Sequence, residues 1–571
     1  MINQNSQAPG ISPGGSRLQT MPAFPIPYTQ LISELWQLKG VDLINRLLEE
    51  KDPATLVRHL SSVDFFWLVK SIGIEDCLPV LEMASEEQWE YLLDLELWEK
   101  DRLNPHRTLE WLARLAKADE ERLVEWLFKR GRDIFSFCLY RSAVIIVKEG
   151  ETESDVPPGY ESVDGIFFFK AFSEDDQGVI SYLLKIAAAQ DFDSYLHLMY
   201  DVAAIIPAEA EEELYRLRNV RISEHGFVPY EEALSIYAPL EPDVLSKGEC
   251  PLPPGGAVNA EESLPVPAAP LMMMEKGNLL AQILSQTSDN LLRDRLGLEY
   301  AALCNKIIAA EAFEEIADRE ILASTWRRAG NYCHLALSSL YGKNLKAIEE
   351  AIRTHQLETI FRVGWGLVIK LRNRARKWLK SSWFHACGRE SDFWGTPWGE
   401  MLTGLLAHRP MLFEGGNYRD FISPGDIEGV EIFLEKLRLL DLLLRRLHVP
   451  KLGEGPLPKN VETFHPLLFN PWARRILGHE PSISPLTRKE AVTFFLRIRE
   501  KESTPPYRMA HYREVFISDF MAGTQDLSQK EQSILRETLN HIWEDFVNLY
   551  ENVKEADIDG RFSPYLLIER A

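Results

Sequence analysis

With 571 residues, of which 45% are hydrophobic and 26% charged, the chain has the composition of a globular protein. Its length exceeds what one hydrophobic core supports, so two to four domains are expected. No stretch approaches the roughly 18 to 20 uncharged apolar residues that cross a bilayer, and the polar N-terminus has no cationic start followed by an apolar block. These features predict a soluble cytoplasmic protein without membrane insertion.

The formal net charge is -23, and it is unevenly distributed. Residues 1–250 contain 44 acidic and 23 basic side chains, whereas residues 251–571 contain 42 and 40. An acidic field disfavours nucleic acid and anionic membrane as partners of the first half, and it favours cations or basic protein surfaces. The six cysteines are scattered without close pairs, which indicates reduced thiols and a reducing compartment.

A short helical phrase recurs between about residues 52 and 133, after a polar, Pro/Gly-punctuated leader at 1–25. Each copy pairs two helices of one to three turns. Within the second copy, Ser85 and Gln88 match a capping box, which favours helices over strands. Each copy also carries a buried-looking tryptophan: Trp67, Trp89 and Trp126.

Helix pairs of this size cannot bury an apolar face alone, so they stack on their neighbours, and such stacks usually present surfaces to partners. We therefore predict an acidic helical-repeat domain over residues 26–240, with the three tryptophans as interaction residues. Two β-branched or aromatic runs, 143–147 and 166–169, interrupt the helical pattern. They predict a small β-hairpin near 143–170.

Residues 241–274 contain seven prolines and few large apolar residues, which predicts an extended interdomain linker. A second helical domain is expected over residues 275–571. Two further capping-box patterns support helices there: Thr487 with Glu490, and Ser528 with Glu531.

The sequence contains few clusters of metal-ligating or catalytic residue types. Four glutamates lie close together in one helical segment and could gather a hydrated divalent ion such as Mg²⁺, although a solvated helix face is the favoured interpretation. They are Glu209, Glu211, Glu212 and Glu213.

His385, Cys387 and Asp392 lie in an irregular, Trp-rich stretch that could line a pocket. A histidine near a cysteine is the minimum for nucleophilic catalysis, but neither an oxyanion donor nor an orienting carboxylate is evident. This cluster supports an enzyme as an alternative, whereas a protein without catalysis is the favoured interpretation.

The segment 361–388 contains seven basic residues and no acidic one, with an apolar stripe at spacings of three and four. It predicts a helix with one buried side and a cationic remainder. Three interpretations remain open: docking on the acidic first half or on an acidic partner, a solvated face, and binding of nucleic acid or anionic lipid, which the overall negative charge disfavours. The predicted contact residues are Arg372, Arg374, Arg376 and Lys377.

Two resemblances accompany these patterns. The stretch from Asp52-Pro53-Ala54 to about Asp133 resembles the intracellular N domain of MgtE-type magnesium transporters, which implies an acidic superhelix that participates in divalent-cation sensing. The chain as a whole, with Glu224-His225-Gly226-Phe227 followed by Tyr230-Glu231-Glu232-Ala233, looks like a bacterial family of unknown function.

The sequence thus predicts a mainly α fold: an N-terminal superhelical stack of short helix pairs with a small β-hairpin insert, a linker and a second helical domain. Its expected function is that of a cytosolic scaffold or regulatory protein that binds other proteins through an acidic helical-repeat surface, without catalysis. The alternatives are an enzyme with a pocket near His385 and Cys387, and a divalent-cation sensor.

Overall fold

The structure is a computed structural model that describes residues 34–99, 101–148, 156–204, 206–246, 267–274, 277–311, 319–452, 457–500 and 504–569. In these ranges the protein is mainly helical with a few small antiparallel strand pairs, so the predicted fold class is confirmed. None of the described helices combines the length and the apolar character needed to span a bilayer. The predicted leader at 1–25 lies outside the described residues, as does most of the predicted linker.

The chain divides into two compact units, each assembled from three stretches of sequence. Unit 1 comprises residues 1–233, 251–274 and 288–326, and unit 2 comprises residues 234–250, 275–287 and 327–571. Unit 1 contains 51 acidic and 26 basic residues, whereas unit 2 contains 35 and 37. The negative charge of the chain therefore belongs to unit 1. The division into domains predicted from the sequence stays a prediction.

Unit 1 begins with short helices that form pairs. They are α1 (Gly40–Leu48), α2 (Pro53–His59), α3 (Ser62–Ile72), α4 (Leu78–Met83), α5 (Glu86–Glu96), α6 (Pro105–Ala118) and α7 (Glu120–Lys129). The first helices of successive pairs pack together, α2 on α4 and α4 on α6, and α3 packs on α5. The expected stacking of helix pairs is present.

Side chains connect one pair to the next through backbone carbonyls. Ser85 and Gln88 form the predicted capping box at the start of α5. The same Gln88 amide nitrogen donates to the carbonyl oxygens of Val57 at 2.8 Å and Leu60 at 2.9 Å. In the third pair, Arg122 donates to three carbonyls at the end of α4. Because a short helix leaves the carbonyls near its end with few intrahelical donors, these side chains supply additional donors and link one pair to the next.

A small sheet follows α8 (Arg132–Ser142). Two-residue strands β1 (Trp98–Glu99) and β2 (Arg102–Leu103) precede it, and the sheet itself contains β3 (Ala143–Val147), β4 (Glu161–Ser162) and β5 (Phe167–Ala171). Strand β5 lies in the centre, with β3 antiparallel on one side and β4 antiparallel on the other, and Ile145 faces Phe169. The predicted strand pair is confirmed, with β4 as an addition.

The remaining helices of the first half are α9 (Glu174–Gln190), α10 (Phe192–Ala204), α11 (Pro207–Ser223), α12 (Tyr230–Ala233) and α13 (Asp243–Ser246). Next come α14 (Ala269–Met272), α15 (Leu279–Gln286), α16 (Asn290–Glu311) and α17 (Arg319–Tyr341). Helices α14 and α16 complete unit 1, because α14 packs on α3 and on α16.

Unit 2 is built mainly from longer helices. They are α18 (Leu345–Thr354), α19 (Leu357–Leu379), α20 (Trp383–Ala386), α21 (Trp398–Leu406), α22 (Pro424–Leu452), α23 (His465–Leu477), α24 (Arg488–Ile498), α25 (Ala510–Met521) and α26 (Gln529–Tyr550). A hairpin of β6 (Leu412–Glu414) and β7 (Asn417–Arg419) turns through Gly415 and Gly416, both with positive φ. The predicted capping boxes at Thr487 and Ser528 open α24 and α26.

Candidate functional site

The three predicted interaction tryptophans lie in the core of unit 1. Trp67 and Trp89 have no exposed surface and Trp126 has 1%. The Trp89 indole nitrogen donates to the Leu81 carbonyl at 2.9 Å, and the Arg122 guanidinium stacks on the Trp89 ring at 3.9 Å. These rings hold the helix pairs together, and none of the three presents its ring at the surface as the predicted interaction role requires.

A group of buried charges lies among the helices of unit 1. Lys70 on α3 pairs with Glu96 on α5, and both side chains are almost fully buried. Asp94, also on α5, accepts two hydrogen bonds from the Arg221 guanidinium at 2.6 and 2.8 Å. These four buried charges therefore form two pairs of opposite sign, which is one condition for keeping charged groups inside a fold.

Asp64 is the most unusual member of this interior. Its carboxylate accepts the backbone N–H groups of Ala268 and Ala269, at 2.8 to 3.1 Å, at the start of α14. Burial raises the pKa of Asp64 to about 6, although these hydrogen bonds oppose the shift. The contact ties residues from the end of the Pro-rich stretch to α3 and thus serves the fold.

The motif that carries the family resemblance has a structural role as well. Gly226 has φ +82°, and a Cβ there would lie 2.6 Å from the Ala302 Cα atom. The Asn305 amide donates to the His225 carbonyl at 2.6 Å, and the His225 ring meets the Tyr91 ring edge-on at 4.6 Å. The turn therefore fixes α16 against α5, and glycine is required by both conformation and space.

The four glutamates of the candidate ion site lie on α11. Glu213 forms a bidentate ion pair with Arg216, and Glu209 and Glu212 are exposed. Across the described part of the chain, no three His, Cys, Asp or Glu side chains come together in a way that could hold a metal ion. The proposed role of these glutamates with Mg²⁺ stays a prediction.

His385, Cys387 and Asp392 occupy different environments in unit 2. The Cys387 side chain is buried, whereas His385 and Asp392 are exposed. Two recesses of unit 2, of about 250 and 260 Å³, are lined by residues of α25, α26 and the C-terminal segment, and not by any of these three. The geometry therefore offers no support for the enzyme alternative.

The predicted basic helix is α19, and part of its charge is used within unit 2. Arg372 donates to the His408 carbonyl just after α21 at 2.6 Å, and Arg376 donates to the Leu406 carbonyl at the end of α21 at 3.4 Å. Arg374 lies 3.6 Å from Glu435 and 3.8 Å from Glu431. Lys377 is exposed and forms no ion pair with any residue that the structure describes. The helix thus contributes to internal packing as well as to surface charge.

A surface that the sequence patterns did not single out lies on α9 and α10 of unit 1. Three aromatic side chains are exposed there, Tyr182 by 37%, Phe192 by 48% and Tyr200 by 57%. The Tyr182 hydroxyl donates to Glu120 at 2.9 Å, which places the acidic start of α7 beside α9. We call the set of Glu120, Tyr182, Phe192, Asp193 and Tyr200 the aromatic-acidic face.

The periodicity of α9 contains the signal for this face. Its buried residues follow helical spacing, and Tyr182 falls outside that stripe between Ser181 and Leu183, which are both buried. An aromatic residue on the polar side of an amphipathic helix is therefore visible in the sequence. Its meaning depends on Glu120, the carboxylate that the fold brings beside it from α7.

These features define a mainly helical, two-unit protein whose best candidate site is a surface and not a cavity. Residues 25–569 match the family described as Family of unknown function (DUF6178), and the chain belongs to that family. No curated protein and no solved structure matches the chain. The resemblance to the magnesium-transporter N domain gains no support from these comparisons.

Proposed function

We propose that the protein is a scaffold that binds basic segments of other proteins through the aromatic-acidic face of unit 1, without a catalytic step of its own. The observation that carries the proposal is the exposure of Tyr182, Phe192 and Tyr200 on α9 and α10, with the Tyr182 hydroxyl bonded to Glu120. Large aromatic side chains at exposed positions are enriched at binding interfaces, where they supply most of the binding energy.

The charge of unit 1 favours a cationic partner. Its 51 acidic and 26 basic residues create a long-range attraction for basic surfaces, which raises the rate of encounter. At short range, Arg or Lys side chains can pair with Glu120 and Asp193 and stack on the neighbouring rings. A segment that alternates basic and apolar residues would use both kinds of contact.

Several carboxylates around this face already have internal partners. Asp201 pairs with Arg132, and Asp191 caps α10 through the backbone and hydroxyl of Ser194. The pKa of Asp191 is lowered mainly by these Ser194 hydrogen bonds. Glu120 is bonded only through the Tyr182 hydroxyl among the described contacts, and Asp193 is exposed, so these two carboxylates suit a partner best.

The proposal is tested with the full chain and a fluorescent peptide that alternates Arg and Leu. We expect saturable binding that weakens about tenfold between low and physiological salt, because exposed ion pairs are screened over about 10 Å at 0.1 M. The same peptide with Glu in place of Arg should not bind. Equal binding of both peptides would contradict the proposal.

The location is tested by substitution. The double variant Tyr182→Ala with Tyr200→Ala should weaken the Arg-Leu peptide about tenfold or more, since exposed aromatic anchors dominate interface energies. Ile432→Ala is the matched control, because Ile432 is a similarly exposed apolar residue of unit 2. Equal loss in both variants would place the binding elsewhere.

A further inference from the structure

Strand β3 forms one edge of its sheet. It pairs with β5 along all five residues, and among the residues that the structure describes the sheet order β3-β5-β4 leaves its other side without a strand. Natural proteins usually protect such edges with charged residues, prolines or bulges. Within Ala143–Val147 there is no charged residue and no proline, and every position from Val144 onward is β-branched.

The backbone of β3 offers hydrogen-bonding groups on this open side. Phe172 N–H donates to the Ser142 carbonyl, and Lys148 N–H donates to the Ile166 carbonyl, both at 2.8 Å. Hydrogen-bonded pairs alternate along an antiparallel ladder, so residues 142, 144, 146 and 148 point towards β5. The groups of residues 143, 145 and 147 therefore point away from it.

One of these outward groups is already used. The Ala143 N–H caps α8 by donating to the Leu139 carbonyl. The N–H and C=O groups of Ile145 and Val147 have no hydrogen-bond partner among the residues that the structure describes. They form a template for one more strand, since an added strand would satisfy donors and acceptors at the spacing of a regular ladder.

The outer face of the sheet exposes apolar residues beside Lys170. Phe172 is 69% exposed and Val144 is 40% exposed, while Ile146 and Phe168 on the same face are half-buried. Antiparallel sheets with one solvated face normally place polar residues on it. Exposed apolar residues beside an open edge are typical of a surface that a partner covers.

Cations surround this edge in a unit that is otherwise acidic. Arg141 precedes β3, Lys148 follows it, and Lys170 faces Val144 from β5. None of the three forms an ion pair with a carboxylate within the described ranges of the chain. A segment that lies along β3 would therefore be met by positive charge at both ends.

We propose that β3 accepts an extended segment of a partner protein as an added strand, with apolar residues at its centre and a carboxylate at each end. The backbone groups of Ile145 and Val147 would supply affinity, and the outer face with its flanking cations would supply selectivity. This site is distinct from the aromatic-acidic face, because it uses other residues and prefers the opposite charge.

The full chain and the labelled peptide EVTITVE test the proposal. We expect saturable binding, and we expect N-methylation of the alternate peptide amides that face β3 to weaken it about tenfold, because a methylated amide cannot donate. N-methylation of the other alternate amides should leave the affinity unchanged. Equal loss in both methylated series, or no binding at all, would overturn strand addition.

Charge exchange provides the second test. Arg141→Glu with Lys148→Glu should weaken EVTITVE about tenfold and should strengthen KVTITVK, since both charges are reversed together. The variant is expected to fold, because Arg141 is exposed and Lys148 is half-buried. Loss of both peptides, with an unchanged circular dichroism spectrum, would overturn the predicted selectivity.

Further measurements distinguish the partner segment from two other occupants of the β3 edge, a segment of this chain and a second copy of the chain. If EVTITVE binds only after Glu149, Glu151 and Glu153 are replaced by Gln, the cations serve carboxylates of this chain, and the proposal is overturned. If sedimentation shows a dimer that Arg141→Glu with Lys148→Glu dissociates, the occupant is a second copy of the chain. A monomer that binds EVTITVE at the same affinity before and after the Gln replacements supports the partner segment.

Discussion

At the scale of single residues, two buried aspartates hold the starts of short helices. Asp64 accepts the first N–H groups of α14, and Asp441 accepts those of Trp383 and Phe384 at the start of α20, at 3.0 and 3.1 Å. Burial raises the pKa of each carboxyl group to about 6. A four-residue helix has little stability of its own, so these contacts decide whether it forms.

The raised pKa values predict a pH dependence of folding. Because the folded state binds a proton more tightly than the unfolded chain, the contribution of Asp64 is fully present below about pH 4 and is lost as pH rises to about 6. Two pKa units correspond to about 3 kcal/mol. Asp64→Asn removes this titration, so its free energy of unfolding should decline less between pH 4 and pH 7 than that of the wild type.

Urea unfolding at several pH values provides the measurement. Asp441→Asn should reduce the pH dependence of the free energy of unfolding over the same range. The double variant should reduce it further, because the two carboxylates lie in different units. Parallel pH profiles for the wild type and Asp64→Asn would show that Asp64 does not titrate in this range.

Gly226 provides a prediction about backbone conformation. Gly226→Ala would combine a positive φ with a Cβ that overlaps Ala302, so we expect a loss of about 2 to 3 kcal/mol in the free energy of unfolding. Gly178→Ala is the matched control. A Cβ at Gly178 meets nothing within 4 Å, and its helix α9 should gain up to about 1 kcal/mol. Similar effects in thermal unfolding would contradict this account.

At the scale of elements, features that depend on residues close together in the sequence could be predicted, whereas contacts between distant residues could not. All three predicted capping boxes form, because such a box depends on residues three positions apart. The paired β runs were readable for a similar reason, as β-branched and aromatic residues cluster in strands. The added strand β4 has only two residues, which is too short for a periodic signal.

The docking of α14 on Asp64 could not be predicted from the sequence. Residues 267–274 belong to a Pro-rich stretch, so composition predicts a linker there. In the structure, Ala268 of this stretch donates its backbone N–H to the Asp64 carboxylate, 204 positions earlier in the chain. The aromatic-acidic face has the same origin, because Glu120 and Tyr182 meet across 62 positions. Local patterns contain no information about such distant partners.

The capping box at Gln88 gives a prediction at this scale. Gln88→Ala removes a cap, the Gln88 donor to the Leu60 carbonyl and one of the two donors to the Val57 carbonyl, so we expect a loss of about 3 kcal/mol. The corresponding change at an exposed box, Glu490→Ala, should cost about 1 kcal/mol. Chemical denaturation followed by circular dichroism compares the two. Equal losses would indicate that the inter-pair bonds add nothing to the cap.

At the scale of the whole molecule, charge separates the two units. Unit 1 carries the excess of carboxylates, and like charges at its surface repel one another. Raising NaCl from about 20 mM to about 300 mM screens this repulsion and should slow amide exchange in the core of unit 1, for example at Leu92 and Leu93. Leu439 and Leu440 of unit 2 should change less. An equal change in both units would contradict a charge-based difference.

The interleaved construction of the units has a consequence for synthesis on the ribosome. Unit 1 includes residues up to Trp326. The backbone N–H groups of Ala268 and Ala269, which donate to the Asp64 carboxylate, are present only after those residues have been translated. The emerging chain therefore exposes its acidic helices and the edge of β3, which ends at Val147, while the residues up to Trp326 are still being translated. Partners that recognise these surfaces can meet the nascent chain before unit 1 is complete.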